Sequence, residues 1–127
     1  MVAAEPEGFI CGSGQLLERG RGVRFTVQRQ GSVTPAFVIR FEGQVHAYLN
    51  VCSHRSLELD WNEGEFFAVF GDELLCATHG ARYAPASGHC VGGPCRRAGL
   101  VKLAVVEIDG GIYLDSKDDV HLAKQKE

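Results

Sequence analysis

The sequence predicts an all-β fold in which two hairpins frame a long, loop-rich insert. Three observations support this prediction. Short runs rich in β-branched and aromatic residues alternate between apolar and polar positions, a period of two that is typical of strands buried on one face. Turns that contain glycine separate these runs. No amphipathic stretch is long enough to favour a sizeable helix.

Three strands are expected in the first half of the chain. Residues 23–29 read VRFTVQR, and the alternation places the two valines and the phenylalanine on one face. The following stretch, AFVIRFEGQVHAYL, predicts strands at 36–41 and 44–49 around the turn Glu42-Gly43. These two strands form the first predicted hairpin.

A second hairpin closes the domain, because VKLAVVEI and IYLD flank the turn Asp109-Gly110-Gly111. Between the hairpins, residues 50–100 are rich in turns and offer short strand candidates only at 66–70 and 73–75. The polar residues 116–127 are expected to form a solvated tail or a short helix. We therefore predict one domain over residues 1–127 with an inserted subdomain at about 50–97.

Composition and charge exclude several classes of function. The 127 residues carry a formal net charge of -3, and no block of like charges offers a surface for the phosphates of a nucleic acid. No apolar run approaches the roughly 18 residues of a membrane helix, and we expect no leader segment. Five cysteines are an odd number, which favours a reducing compartment over a disulfide framework. We expect a monomeric, cytoplasmic protein.

Two short cysteine-histidine pairs are the main chemical feature of the sequence. Cys52 and His54 follow the first hairpin, and Cys76 and His79 follow a short strand candidate. Two thiolates and two imidazoles make a complete ligand set for a soft or borderline metal. The plainer alternative is two buried core cysteines and two incidental histidines, but chance rarely places two such pairs in loops and in matching order.

The distribution of ligands between the loops distinguishes two kinds of metal site. A structural zinc site usually groups like ligands, with cysteines near cysteines and histidines near histidines. Here each loop supplies one cysteine and one histidine. That arrangement suits a two-iron cluster in which one iron takes both thiolates and the other takes both imidazoles, which is the ligation of a Rieske 2Fe-2S centre. A zinc site is the alternative.

At these positions the sequence resembles the Rieske family, in the branch of soluble ferredoxins that serve bacterial aromatic-ring oxygenases. The resemblance rests on C-x-H at 52–54, C-x-x-H-G at 76–80, a tyrosine four residues after the second histidine, and Gly93-Pro94. It extends more weakly over roughly residues 9–115, in the order hairpin, cluster loops, proline loop and final hairpin.

The resemblance implies a Rieske-like antiparallel β sandwich or barrel that holds one 2Fe-2S cluster per chain. It implies that Cys52 and Cys76 bind one iron, that His54 and His79 bind the other, and that the loop with Pro94 covers the cluster. It implies an electron carrier, so no residue of the chain is expected to be catalytic.

Three positions near the predicted cluster bear on its properties. The family usually has glycine two residues after the first histidine, where this chain has Ser56. Tyr83 resembles the tyrosine that donates to a ligating thiolate in high-potential relatives, with an ordinary core aromatic as the alternative. Ala81 replaces a second hydroxyl donor of those relatives, so we expect a potential in the lower part of the span of about -150 to +300 mV.

The remaining cysteines and histidines are expected to be structural. Cys90 and Cys95 are predicted to be reduced thiols that pack the proline loop, with a disulfide or a second metal site as alternatives. Cys11 is predicted to be a small buried residue of an N-terminal strand. His46 is predicted to be a strand residue rather than a ligand. His89, beside the proline loop, could line a docking face.

Charged residues lie in or near the predicted cluster loops. The plainer interpretation is a solvated surface of mixed charge, and the alternative is a polar docking face that orients a redox partner. The residues concerned are Arg55, Arg82, Arg96, Arg97, Glu58, Asp60, Glu63 and Glu65.

The function we predict is one-electron transfer from a flavin-dependent reductase to a terminal oxygenase, by a protein that is not itself an enzyme. One alternative is a small Rieske subunit that stays bound in a larger oxidoreductase, such as a nitrite reductase. The other is a zinc-binding interaction module, which would be colourless. No substrate pocket is indicated by the sequence.

Overall fold

The computed structural model describes residues 8–29, 31–52, 58–60, 63–68, 71–78, 80–95, 98–115 and 121–122. The strands in this part of the chain are β1 (Phe9–Gly12), β2 (Val23–Arg29), β3 (Ser32–Phe41), β4 (Gln44–Leu49), β5 (Leu74–Leu75), β6 (Arg82–Tyr83), β7 (Cys90–Gly92), β8 (Lys102–Leu103), β9 (Val105–Ile108), β10 (Gly111–Leu114) and β11 (His121–Leu122). Two 3₁₀ turns, Ser13–Gln15 and Gly93–Cys95, accompany them. The predicted all-β class is confirmed. Within the described ranges, no helix has the length and apolar character needed to cross a membrane.

The strands form three sheets. The main sheet has the order β11-β2-β3-β4-β8, the terminal sheet β1-β10-β9, and the small sheet β5-β6-β7. The predicted first hairpin is β3 and β4, and it turns at Glu42 and Gly43, whose φ angles are 53° and 80°. Two successive positive φ angles are typical of a two-residue hairpin turn. β3 begins at Ser32 rather than at the predicted residue 36.

β3 is buried on both faces because a hydrophobic core lies on either side of the main sheet. Phe37, Ile39 and Phe41 belong to the core shared with the small sheet, called here the upper core. Ala36 and Val38, at the alternate positions, belong to the core shared with the terminal sheet, called the lower core. A strand buried on both faces reads as a continuous apolar run, which explains the sequence AFVI.

Two predictions for the end of the chain are wrong in part. The single strand expected at 101–108 is divided at Ala104: β8 pairs with β4 in the main sheet, and β9 pairs with β10 in the terminal sheet. Because apolar residues continue through this point, the pattern does not reveal the change of sheet. The tail, expected to be solvated or helical, contributes β11 to the edge of the main sheet beside β2.

The small sheet lies inside the predicted insert. β5 falls within the strand candidate at 73–75, whereas β6 and β7 were not predicted. Strands of two or three residues are too short to show a periodic pattern. Of the other candidate, 66–70, Phe67 forms an isolated bridge with Leu74, and residues 69–70 lie outside the described ranges. The boundaries of the domain and of its insert remain predictions.

Candidate metal centre

Cys52 lies in the first loop, shortly after β4 ends at Leu49. The chain leaves the sheet at Asn50. The backbone N–H of Asn50 donates to the carbonyl oxygen of Pro35 at 2.8 Å. The Cys52 side chain is 2% exposed and belongs to the upper core. The loop therefore turns this thiol toward the interior.

Two buried polar residues anchor the first loop. Asn50 Nδ2 donates to Asp60 Oδ1 at 2.9 Å, and Asn50 Oδ1 accepts from the amide of Leu59 at 2.8 Å. Asp60 Oδ2 accepts from the amide of Gly64 at 2.9 Å and lies 3.6 Å from Nε of Arg24. Buried polar groups that all find partners make the surrounding chain rigid. This network therefore holds Asn50, two residues before Cys52, against Leu59 and Asp60.

The burial of Asp60 corrects the prediction that groups it with a solvated charged surface. Asp60 is only 7% exposed. Its sequence neighbour Glu58 does reach solvent, where it pairs with Arg24 at 2.7 Å. Sequence reasoning missed the Asn50–Asp60 anchor, and the available signal was weak: an asparagine directly after a strand is typical of turns stabilised by side-chain hydrogen bonds.

Cys76 begins the second loop, directly after β5. Its amide donates to the carbonyl oxygen of Ala81, and its own carbonyl oxygen accepts from the amide of Gly80, both at 2.8 Å. Gly80 has a φ of 77°, which glycine adopts without steric cost. The Cys76 side chain is fully buried and lies in the upper core with Cys52. Two loops distant in sequence thus bring two thiols into one core.

Tyr83 connects the small sheet to the first loop. It lies in β6, is fully buried, and places its hydroxyl 3.4 Å from Sγ of Cys52. The sequence left open whether Tyr83 is a core aromatic or a donor to sulfur. In the structure its ring lies in the upper core and its hydroxyl contacts a predicted ligand. If Cys52 is a thiolate, the hydroxyl must be the donor.

The proline loop packs against the second loop. It consists of β7 and the 3₁₀ turn Gly93–Cys95, with Pro94 partly buried at its centre. Gly93 has a φ of 79°, and a Cβ at this position would clash with the carbonyl oxygen of Gly80 and lie 2.9 Å from Cα of Ala81. Only glycine allows two backbones to approach this closely. The proline loop and the second loop are therefore in direct backbone contact.

Cys90 and Cys95 form a disulfide, so the prediction of two reduced thiols is wrong. Their Cα atoms are 5.7 Å apart, a normal separation for a disulfide, because the turn at Gly93 brings the two ends of the loop together. The prediction depended on a compartment inferred from the odd number of cysteines. That inference could not show how closely the loop folds back.

Cys11, His46 and His89 lie in β1, in β4 and directly before β7. Cys11 is a buried residue of β1, as predicted, and burial raises the pKa of its thiol. His46 is partly buried in β4, where burial lowers the pKa of its imidazole. His89 is exposed beside the proline loop. Arg82 is exposed and pairs with Glu73 at 3.0 Å.

Half of the predicted ligand set lies outside the described residues. The two predicted ligands concerned are His54 and His79. Four other positions singled out in the sequence, Arg55, Ser56, Arg96 and Arg97, also lie outside the described residues. Within the described ranges, no group of three or more histidine, cysteine or acidic side chains could hold a metal ion. The structure thus shows the two thiols, and the complete four-ligand site remains a prediction.

A comparison with protein families gives one match. The model of the Rieske [2Fe-2S] domain matches residues 9–109, a span that includes both cysteine-histidine pairs, Tyr83 and the proline loop. The match assigns a Rieske-type 2Fe-2S cluster as the cofactor. No curated protein sequence matches the chain.

Solved structures share the fold. The ferredoxin of carbazole 1,9a-dioxygenase from Nocardioides aromaticivorans IC177 is 24% identical, with a TM-score of 0.67 over 87% of this chain and 97% of the ferredoxin. The Sphingomonas yanoikuyae B1 ferredoxin is 21% identical, with a TM-score of 0.66 over 87% and 98% of the two chains. A chain in the complex of reduced oxygenase and oxidized ferredoxin in carbazole 1,9a-dioxygenase is 23% identical, with a TM-score of 0.64 over 84% and 89%.

Proposed function

The chain belongs to the Rieske [2Fe-2S] domain family, and on that premise we propose that it carries single electrons from a flavin-dependent reductase to a terminal oxygenase. One observation carries the proposal: Cys52 and Cys76, from two separate loops, are buried in the same core beside the hydroxyl of Tyr83. The likeness of the fold to two ferredoxins, one of them from carbazole 1,9a-dioxygenase, over most of each chain, supports the carrier role.

The described residues fit the cofactor of the family. Cys52 and Cys76 are soft sulfur donors, and soft donors favour iron-sulfur clusters. Both are almost fully buried in apolar surroundings, which keeps water away from the iron-thiolate bonds. We assign Cys52 and Cys76 to one iron, and His54 and His79 to the other. When bound, the cluster supplies a centre that accepts and returns one electron.

The surrounding residues are expected to adjust the reduction potential of the cluster. With Cys52 bound to iron as a thiolate, the Tyr83 hydroxyl would donate to its sulfur and would favour the more negative, reduced state, because a hydrogen bond to a charged acceptor strengthens as the charge grows. Ala81 is buried next to the second loop and has no hydroxyl. Because Ala81 offers no hydroxyl where high-potential relatives carry a second donor, we propose a potential in the lower part of the family's range.

We propose redox proteins as the partners: a flavin-dependent reductase as donor and a terminal oxygenase as acceptor. In this role the chain transfers electrons and catalyses no reaction of its own. A monomeric state and a cytoplasmic location remain predictions. The Cys90–Cys95 disulfide counts against the reducing compartment that the odd number of cysteines favoured.

The first test is spectroscopic and analytical. After aerobic purification, metal analysis should find iron and labile sulfide at two atoms each per chain. Dithionite reduction should then produce a rhombic EPR signal that integrates to one spin per chain. Stoichiometric zinc in a colourless protein would contradict the cofactor and would favour the zinc-binding module.

The second test distinguishes a carrier from a bound subunit. The oxygenase of the carbazole 1,9a-dioxygenase system serves as the acceptor probe, mixed anaerobically with the dithionite-reduced protein in a stopped-flow instrument. The carrier proposal expects reoxidation in proportion to oxygenase, and migration as a single free chain in gel filtration. If the native protein is isolated only in a stable, stoichiometric complex with a larger oxidoreductase, it is a resident subunit instead.

A further inference from the structure

We propose that Cys90 and Cys95 form a reducible dithiol-disulfide site that controls how firmly the proline loop is held against the second ligand loop. Cys90 is the first residue of β7, and Cys95 is the last residue of the 3₁₀ turn. Their disulfide therefore closes a ring that contains the whole proline loop, residues 90–95. This inference concerns the cluster loops and stands whichever partners the cluster serves.

The ring contacts the second loop and its neighbour β6 at three places. Gly93 meets the backbone of Gly80 and Ala81, as described above. Gly92 pairs with Arg82 in the small sheet, and Cys90 pairs with Tyr83. Tyr83 in turn contacts the sulfur of Cys52. A change in the mobility of the ring is therefore transmitted to backbone next to Cys76 and to the side chain that contacts Cys52.

Backbone carbonyl oxygens surround the two sulfurs of the disulfide. The carbonyl oxygen of Gly92 lies 3.1 Å from Sγ of Cys95 and 3.6 Å from Sγ of Cys90. The carbonyl oxygen of Arg82 lies 3.6 Å from Sγ of Cys95. A thiol is a weak hydrogen-bond donor. On reduction the two sulfurs must move apart from their bonded distance, and these backbone carbonyl oxygens are the nearby acceptors for the thiols that result.

The chemistry is thiol-disulfide exchange with a dithiol reductant, as small molecule or protein. One thiolate of the reductant attacks Sγ of Cys90, since Cys90 is partly exposed and Cys95 is only 3% exposed. The Cys90–Cys95 bond breaks, and the Cys95 sulfur leaves as a thiolate and takes up a proton. The second reductant thiol attacks the mixed disulfide and releases Cys90 as a thiol. The Cys90–Cys95 pair gains two electrons and two protons, and the reductant becomes a disulfide.

Opening the ring restores chain freedom to a loop of six residues, and the entropy that closure removes is smaller for this ring than for a longer one. We expect amide exchange in residues 80–95 to rise on the order of tenfold after reduction, with no change in β2, β3 and β4. The cluster should also be lost faster to chelator, because the loop that is predicted to cover it would open more often.

The test uses the full-length protein loaded with its cluster. Samples are equilibrated in mixtures of reduced and oxidised dithiothreitol. Alkylation and mass spectrometry then measure the fraction of reduced Cys90 and Cys95, and hydrogen exchange measures the opening of the loop. The C90S/C95S double variant is the permanently open form, and Cys11→Ser, in the lower core, is the matched control. We expect Cys90 and Cys95 to titrate together as one two-electron pair. Reductant should speed exchange in wild type and in Cys11→Ser, and change nothing further in the double variant.

Two results would overturn the proposal. One is that Cys90 and Cys95 react with the alkylating agent under every oxidising condition, so that no disulfide forms. The other is that reduction of the wild-type pair leaves amide exchange in 80–95 unchanged. The wild-type comparison needs no substitution, so it decides the question even if the double variant does not fold.

Discussion

The hydroxyl of Tyr83 lies 3.4 Å from Sγ of Cys52, although 31 residues separate them in the chain. This contact ties the small sheet, which carries the second loop, to the first loop. Both side chains are buried, so water does not compete for the interaction. Tyr83 is therefore a described residue through which the protein can act directly on the sulfur of a predicted ligand.

Replacement of Tyr83 by phenylalanine should lower the reduction potential of the cluster by on the order of 50 mV. Loss of a hydrogen bond worth about 1 kcal/mol more in the reduced state corresponds to a shift of this size for one electron. The measurement is an EPR-monitored redox titration, with Tyr113→Phe in the terminal sheet as the control. An unchanged potential in a fully loaded Tyr83→Phe variant would show that the hydroxyl does not donate to the sulfur.

Asp60 should be far more important for stability than its neighbour Glu58, although both pair with Arg24. Asp60→Ala leaves buried Asn50 and the amide of Gly64 without their acceptor and should lower the free energy of unfolding by about 2–4 kcal/mol. Glu58→Ala removes an exposed ion pair and should cost less than about 1 kcal/mol. Denaturant unfolding measures both variants, and equal losses would contradict the anchoring role of Asp60.

Gly93→Ala should damage the site more than the same change at Gly31. Both glycines have positive φ angles, 79° and 78°, but a Cβ at Gly31 meets no atom within 4 Å, whereas at Gly93 it clashes with Gly80. Gly31→Ala should cost about 1 kcal/mol for the backbone angle alone. Gly93→Ala adds overpacking of about 1–3 kcal/mol and should release the cluster faster. Denaturant unfolding and the rate of loss of cluster absorbance are measured for both variants. Equal effects of Gly93→Ala and Gly31→Ala would contradict the packing argument.

The acid sensitivity of the scaffold should depend on Glu107. Arg40 in β3 binds Glu107 in β9 through two hydrogen bonds, of 3.0 and 2.7 Å, and so links the main sheet to the terminal sheet. The Arg40 guanidinium lowers the pKa of the Glu107 carboxyl from its usual 4.5 to about 2. Because the folded-state pKa is the lower one, this stabilisation is present above about pH 4.5 and is lost as the pH falls toward 2.

The variant Glu107→Gln isolates this contribution. Its free energy of unfolding should fall less steeply than that of the wild type between about pH 5 and pH 2, the window set by the two pKa values. Denaturant unfolding followed by far-ultraviolet circular dichroism measures both proteins across this range. Parallel curves would mean that the Arg40–Glu107 pair does not titrate with folding.

Several features of this protein were readable from the sequence because they depend on local order along the chain. Alternation in VRFTVQR predicted β2, and the turn Glu42-Gly43 predicted the hairpin of β3 and β4. The two cysteine-histidine pairs indicated a metal site because ligand spacing within a loop is a local property. The family match confirms the Rieske centre.

Other features were decided only by the tertiary structure, because they depend on which distant segments meet. The Asn50–Asp60 anchor, the division of β8 from β9 at Ala104, and the pairing of β11 with β2 all require contacts that no short pattern encodes. The Cys90–Cys95 disulfide depends on how tightly the loop turns at Gly93. Sequence alone thus predicted which residues bind metal, while packing decided which of the described side chains are buried, hydrogen-bonded and in contact with the predicted ligands.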